Sequence, residues 1–274
     1  MKKIVLTVLF VSLVLMAGIA YAEELKFAGC STSTISYMKD VAKTYEAKTG
    51  IKVDVKGGGA TLGIKSAGAG TVDMGGTCRY LIEDEGKDTK LTIVAYDALV
   101  FIAHKSNPVS NVTKAQMINI FEGKIKNWKE LGGEDKPIIV VERHEETDGV
   151  RLMLNDKLGY KIKLTGSAIK AQSSSEVEKE IEKNPYAFGV TGSGSAVQKE
   201  LKLLSYNGVS PIKENYLNGK YPLIRPLYLA TKKGEPSEKT KKFFEFLLSD
   251  EGQAVVSKNA ISIKEYKKIS EGNP

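Results

Sequence analysis

The sequence predicts an α/β protein of two interleaved lobes. Short β-rich runs alternate with stretches of helical periodicity along the chain, a pattern of mixed α/β architecture rather than of a sandwich or bundle. Residues 91–103, LTIVAYDALVFIA, are almost continuously apolar for longer than a typical strand, so they read as strands leaving one lobe and entering a second. RPLYLAT, residues 225–231, reads as a strand returning to the first. With no internal repeat, low-complexity tract or proline-rich linker, the expected division is lobe 1 over 23–97 and 225–274, and lobe 2 over 98–224.

Residues 26–28 end a first strand, and Ser31 to Ser33 lead into a helix. Its apolar positions Ile35, Met38, Val41, Ala42 and Tyr45 keep helical spacing up to Gly50, where a left-handed C-terminal residue belongs. A second strand covers 51–55, and Gly57-Gly58-Gly59 opens a helix over 60–69. A third strand over 72–74 leads into a loop, 75–79. Three strand-to-helix junctions in succession aim backbone N–H groups at one crevice, a layout suited to anions. Thr113 caps a helix to Phe121. A buried strand over 137–141 turns through RHEETDGVRLML into another helix. Ser173 to Ser175 cap a helix over 176–183, and AFGVT is a later strand. Helices over 241–248 and 251–258 bring the chain back to the first lobe.

Lys2 and Lys3 precede an apolar run, 4–20, closed by Ala20-Tyr21-Ala22. This is the pattern of a cleaved signal peptide over 1–22 and predicts a periplasmic mature chain. FAGC, ending at Cys30, has the look of a lipobox, but Glu23, Glu24 and Lys26 separate it from the apolar leader, so cleavage after Ala22 is expected. The two cysteines, Cys30 and Cys78, allow at most one internal disulfide in an oxidising compartment.

The formal charge of +7 is spread along the chain without a basic block, so no nucleic-acid partner is expected. Only His104 and His144 are present, and no G-x-S-x-G occurs, which argues against a serine hydrolase. GGGATLG is neither G-x-G-x-x-G nor a P-loop. RHEE, residues 143–146, lacks the spaced second histidine of a zinc helix, and the spacing of Cys30, Cys78 and His144 gives no support for a metal site. No enzymatic activity, cofactor or metal is therefore expected.

Several segments together resemble the extracytoplasmic phosphate-binding proteins of ABC importers, within the type II periplasmic binding protein fold. GGGATLGIKSAGAGTVDMGG is similar to the family's glycine-rich loop, helix and T-V-D strand. SNPVSNVTKAQMINIFEGKIKNWKELGG, YNGVSPIKENYLNGKYPLIRPLYL and LSDEGQAVVSKNA match further family segments, so the resemblance spans nearly all of 25–265. It implies two α/β lobes joined by two crossing strands, with a cleft for a small inorganic anion between them. It also implies a monomer that partners an ABC permease in the membrane. The alternative function is an extracytoplasmic sensor or accessory module with a different ligand.

Carried over by residue, the resemblance puts the anion pocket at Ser31 and Thr32, Ala60 and Thr61, Thr77 and Cys78, Arg143, and the segment Thr147, Asp148 and Gly149. Arg79 and Arg151 are as well explained by surface or inter-lobe roles. Ala60 replaces a usual serine, and Cys78 falls on or beside an acidic or hydroxyl position. TDGVR stands for S-G-T-R: matching glycine and arginine puts Asp148 and Val150 on the two hydroxyl positions, whereas an ungapped match leaves Thr147 one hydroxyl. The resemblance places Cys30 and Cys78 on adjacent pocket loops, and a disulfide between them is expected. A carboxylate at a helix N-terminus competes with a bound anion, so a retuned pocket is expected.

Overall fold

The computed structural model describes residues 24–272, and the leader expected over 1–22 lies outside the described residues. Ten strands are present among them: β1 (Glu24–Gly29), β2 (Lys52–Gly57), β3 (Met74–Thr77), β4 (Thr89–His104), β5 (Asn111–Val112), β6 (Ile139–Arg143), β7 (Ile169–Ala171), β8 (Ala187–Gly192), β9 (Leu201–Tyr206) and β10 (Ile224–Lys232). They line up as β2-β1-β3-β10-β4-β8-β6-β7, with β9 pairing β4 and β5. β1 runs parallel to β2 and β3, while β10 is antiparallel to β3 and β4. On the far side β4 is antiparallel to β8 and β9, and β6 is parallel to β7 and β8.

The long apolar run is a single strand of 16 residues. Its first part pairs with β10 and its last part, from Leu99, pairs with β8 and β9. Burial follows the same division. Val94 and Ala95 belong to a core with Leu25, Phe27, Tyr37 and Met74, whereas Ala98 to Ala103 belong to a second core with Phe121, Trp128 and Phe188. β10 switches in the opposite order, with Ile224 in the second core and Leu227 and Leu229 in the first. Strands feeding two cores must be apolar on both faces, which is why neither shows polar alternation.

Helical capping follows local chemistry. Thr113 and Gln116 form a capping box at Lys114–Phe121, Ser173 caps Ser174–Lys183, and Gly50 ends Lys39–Thr49 at φ 75°. Tyr45 packs edge-on against Phe243, ring centroids 5.1 Å apart, so the helix Glu238–Leu248 closes the first core. Among the described residues no helix is long and apolar enough to cross a membrane.

The segment 75–79 departs from its expected loop: Gly75, Gly76 and Thr77 continue β3. The cause is close packing. A Cβ on Gly63 would stand 2.6 Å from the Gly76 carbonyl oxygen, and one on Gly29 would stand 2.5 Å from the Gly76 Cα. Glycine here permits approach of the helix Ala60–Ala69 to bare strand backbone and makes no turn.

Candidate functional site

The glycine contact sets the positions of both cysteines. Cys30 comes directly after β1 and Cys78 directly after β3, and the Cys30 N–H donates to the Gly76 carbonyl at 2.9 Å. The two buried side chains therefore meet, each thiol within hydrogen-bonding reach of the other. The expected disulfide is not formed: both cysteines are free. Cys30 is instead the N-cap of the helical run 31–49, its Sγ accepting from the Ser33 N–H at 3.4 Å and lying 3.1 Å from Ser33 Oγ. Burial opposes its ionisation, but hydrogen bonds from Cys78 and Ser33 and the Arg225 charge bring the Cys30 thiol down to about 7. The same hydrogen bond, together with burial, pushes Cys78 well up, so the pair holds one proton more firmly than the other.

Across from the thiols lies the N-terminus of Gly149–Leu158. A Cβ on Gly149 would stand 2.5 Å from Cys78 Sγ and 3.5 Å from the Ala60 Cβ, so the backbone of residue 149 roofs both. Asp148 caps this helix, accepting from the Val150 N–H at 2.9 Å. Its other oxygen pairs with Arg143 Nη2 at 2.8 Å, and both side chains are buried. Arg143 extends from the end of β6, donates from Nη1 to the Ala171 carbonyl at 3.4 Å and leaves Nε without a partner among the described residues. Its guanidinium reaches the start of Ala60–Ala69, with Nη2 3.8 Å from a Cβ position on Gly59. No side chain caps that helix start.

The remaining expected residues divide. Thr32 is fully buried with Oγ1 3.5 Å from Arg225 Nη2, and Ser31 is buried beside it. The hydroxyls of Thr61 and Thr77 are both engaged by Arg79. Thr61 Oγ1 accepts from Arg79 Nη2 at 3.1 Å, and Thr77 Oγ1 donates to the Arg79 carbonyl at 3.1 Å. Arg79 is a buried structural group, paired in two-point fashion with Glu85 at 2.7 and 2.9 Å. Arg151 is buried too, with Nη2 donating to the Ile162 carbonyl at 3.3 Å. Thr147 lines a cavity of about 470 Å³ together with Thr61 and Lys65. A second cavity of about 330 Å³ is bounded by Gly58 to Leu62, Lys65, Arg143 and Asp148. Among the described residues no cluster of three or more metal-ligating side chains occurs.

Sequence reasoning missed Arg225 and Asp97. Arg225, on β10, donates to Asp97 Oδ2 at 3.1 Å and to the Gly149 carbonyl at 3.2 Å, and thereby joins both crossing strands to the helix start. Asp97 Oδ1 accepts from Ser193 Oγ at 2.8 Å and from the Gly194 N–H at 3.1 Å. The available signal was one charge of each sign inside otherwise apolar strands, which implies a buried pair.

The PBP superfamily domain profile matches residues 20–251. The chain is 31% identical over 237 residues to the phosphate-binding protein PstS of Bacillus subtilis, covering 84% of this chain and 77% of that one. It is 27% identical over 270 residues to the PstS of Borreliella burgdorferi, covering 93% and 96%. Among solved structures it resembles a Clostridium perfringens protein described as a phosphate ABC transporter substrate-binding protein with bound phosphate, at TM-score 0.81, 32% identity, and coverage of 88% and 100%. An ABC-type phosphate transport receptor from Vibrio cholerae matches at TM-score 0.66 with 28% identity, again covering 88% and 100%.

Proposed function

The chain belongs to the phosphate-binding protein family of the PBP superfamily, and on that premise we propose that it captures phosphate between its two lobes for an ABC importer. One observation carries the reading: the Arg143 guanidinium, with Nε unpaired among the described residues, reaches the uncapped N-terminus of Ala60–Ala69. A cationic fork and a helix N-terminus converging on one spot are a ready anion seat. Thr61 lines the same cavity as Arg143, the Gly149–Leu158 helix start lies against Ala60, and lobe closure strengthens each contact by removing water. The lobes of this reading are 23–97 with 225–274, and 98–224. The leader directs export, and the closed form is what a permease meets.

Asp148 makes this seat unusual. Its carboxylate already pairs with Arg143 and takes up the Val150 N–H, so an incoming dianion must displace it or share the arginine. Each charge-assisted hydrogen bond contributes about 1.5–3 kcal/mol, so this competition weakens phosphate relative to a site without it. Titration calorimetry against phosphate, sulfate, arsenate, molybdate and tungstate tests the reading. Phosphate binding that is lost in Arg143→Ala supports it, and no heat with phosphate under any condition overturns it.

A further inference from the structure

We propose that Cys30 and Cys78 form a dithiol site for a trivalent metalloid hydroxide, with neutral arsenite, As(OH)3, as its ligand. The site lies where the ends of β1 and β3 meet the helix start Gly149–Leu158. Two buried thiols side by side are the chelating arrangement that such a soft, pyramidal acid takes. Their positions are set by backbone, because each follows a strand held against the other through the Gly29 and Gly76 contact. The backbone of Gly149 lies against Cys78, a Cβ position there standing 2.5 Å from the sulfur, so withdrawal of the helix start Gly149–Leu158 opens that side of the thiol. The Arg225 charge acts on both thiols, and its Nε, unpartnered among the described residues, is available to hydrogen-bond an arsenic-bound hydroxyl.

The chemistry needs no oxidant. Two As–O bonds break and two As–S bonds form. Each departing hydroxide takes one thiol proton and leaves as water, and the product is Cys30–S–As(OH)–S–Cys78 with arsenic still trivalent. The lowered affinity of Cys30 for its proton supplies the thiolate that attacks first. A neutral acid is also not repelled by the Asp148 carboxylate, as a phosphate dianion is. A metal ion fits less well, since among the described residues no third cysteine, histidine or carboxylate gathers with the pair to complete a shell.

The inference rests on the cleft reading only for access, and the test separates the two. The full chain is reduced with a phosphine, freed of reductant and phosphate, and mixed with one equivalent of arsenite. Its arsenic content is then read by native mass spectrometry and its coordination by X-ray absorption at arsenic. The expected result is one arsenic per chain bound by two sulfurs and one oxygen, with affinity lowered about a hundredfold in Cys30→Ser and in Cys78→Ser by loss of chelation. No retained arsenic, oxygen-only coordination, or equal retention by either variant overturns the proposal. If a variant fails to fold, the sulfur count in the wild-type protein decides. Phosphate titration of the same samples reads the cleft independently: arsenic capture without phosphate binding sinks the phosphate reading alone, and the reverse sinks the dithiol site alone.

Discussion

Arg143 and Asp148 face each other at 2.8 Å with both side chains buried, and the carboxylate at the same time caps the helix Gly149–Leu158. The protein thus carries its own anion beside the arginine. Replacing Asp148 by Asn keeps a capping oxygen and removes the charge. Phosphate affinity is expected to rise at least about tenfold, equivalent to about 1.4 kcal/mol, in calorimetric titration. A fall in affinity would show that the carboxylate receives a ligand proton rather than competing.

Gly149 offers a steric test of closure. A methyl group there meets Cys78 Sγ at 2.5 Å and the Ala60 Cβ at 3.5 Å. Gly149→Ala is expected to hold the cleft apart and weaken phosphate binding, with a larger radius of gyration in solution scattering. Pairing it with Cys78→Ala, which removes the sulfur, restores closure. Weak binding that the second change leaves untouched rules out this contact as the cause.

Arg225 and Asp97 are both fully buried on the two crossing strands. Breaking such a pair leaves an uncompensated charge and costs about 3–5 kcal/mol. Arg225→Met and Asp97→Asn are each expected to lower the urea midpoint markedly, and the double variant less than the two effects added. Additive losses would show that the pair does not act as a unit.

Glu142 predicts a pH dependence of stability. Burial raises its carboxyl to about 7, with the backbone N–H of Arg143 opposing and the Asp148 charge assisting. An unfolded glutamate titrates near about 4.3, so the folded state favours the protonated form. The contribution is fully present below the unfolded value and is lost as pH rises through the folded one, with a slope of up to about 1.4 kcal/mol per pH unit. Denaturant unfolding between those values should show this fall, and Glu142→Gln should flatten it. An unchanged slope in the variant would assign the effect elsewhere.

Much of the scaffold was legible because it rests on local chemistry. Thr113 with Gln116 and Gly50 mark helix ends through bonds and dihedrals made within a few residues. The overlong apolar run at 91–103 announced a strand shared by two cores. What stayed hidden depends on partners far apart in sequence. Gly75 and Gly76 read as loop because glycine in a strand and glycine in a turn look alike without the helix that packs on them. β9 went unassigned for a related reason: its positions are half-buried or buried, with no exposed face to give a clear alternation. The proximity of Cys30 and Cys78 followed from the family resemblance, but not their state, since Cys30 engages its sulfur with Ser33 as a helix cap.

The glycine contact among residues 29, 63, 75 and 76 makes frame and lining separable. The distance between the chain segments that follow β1 and β3 is set where no side chain exists, so the residues next in the chain can be exchanged without moving the segments that carry them. Serine, aspartate or cysteine at 30 and 78 would stand at the same stations. On such a chassis a change of ligand needs only new atoms at fixed addresses, and a library restricted to positions 30, 60, 78 and 148 should yield folded binders of different anions at high frequency.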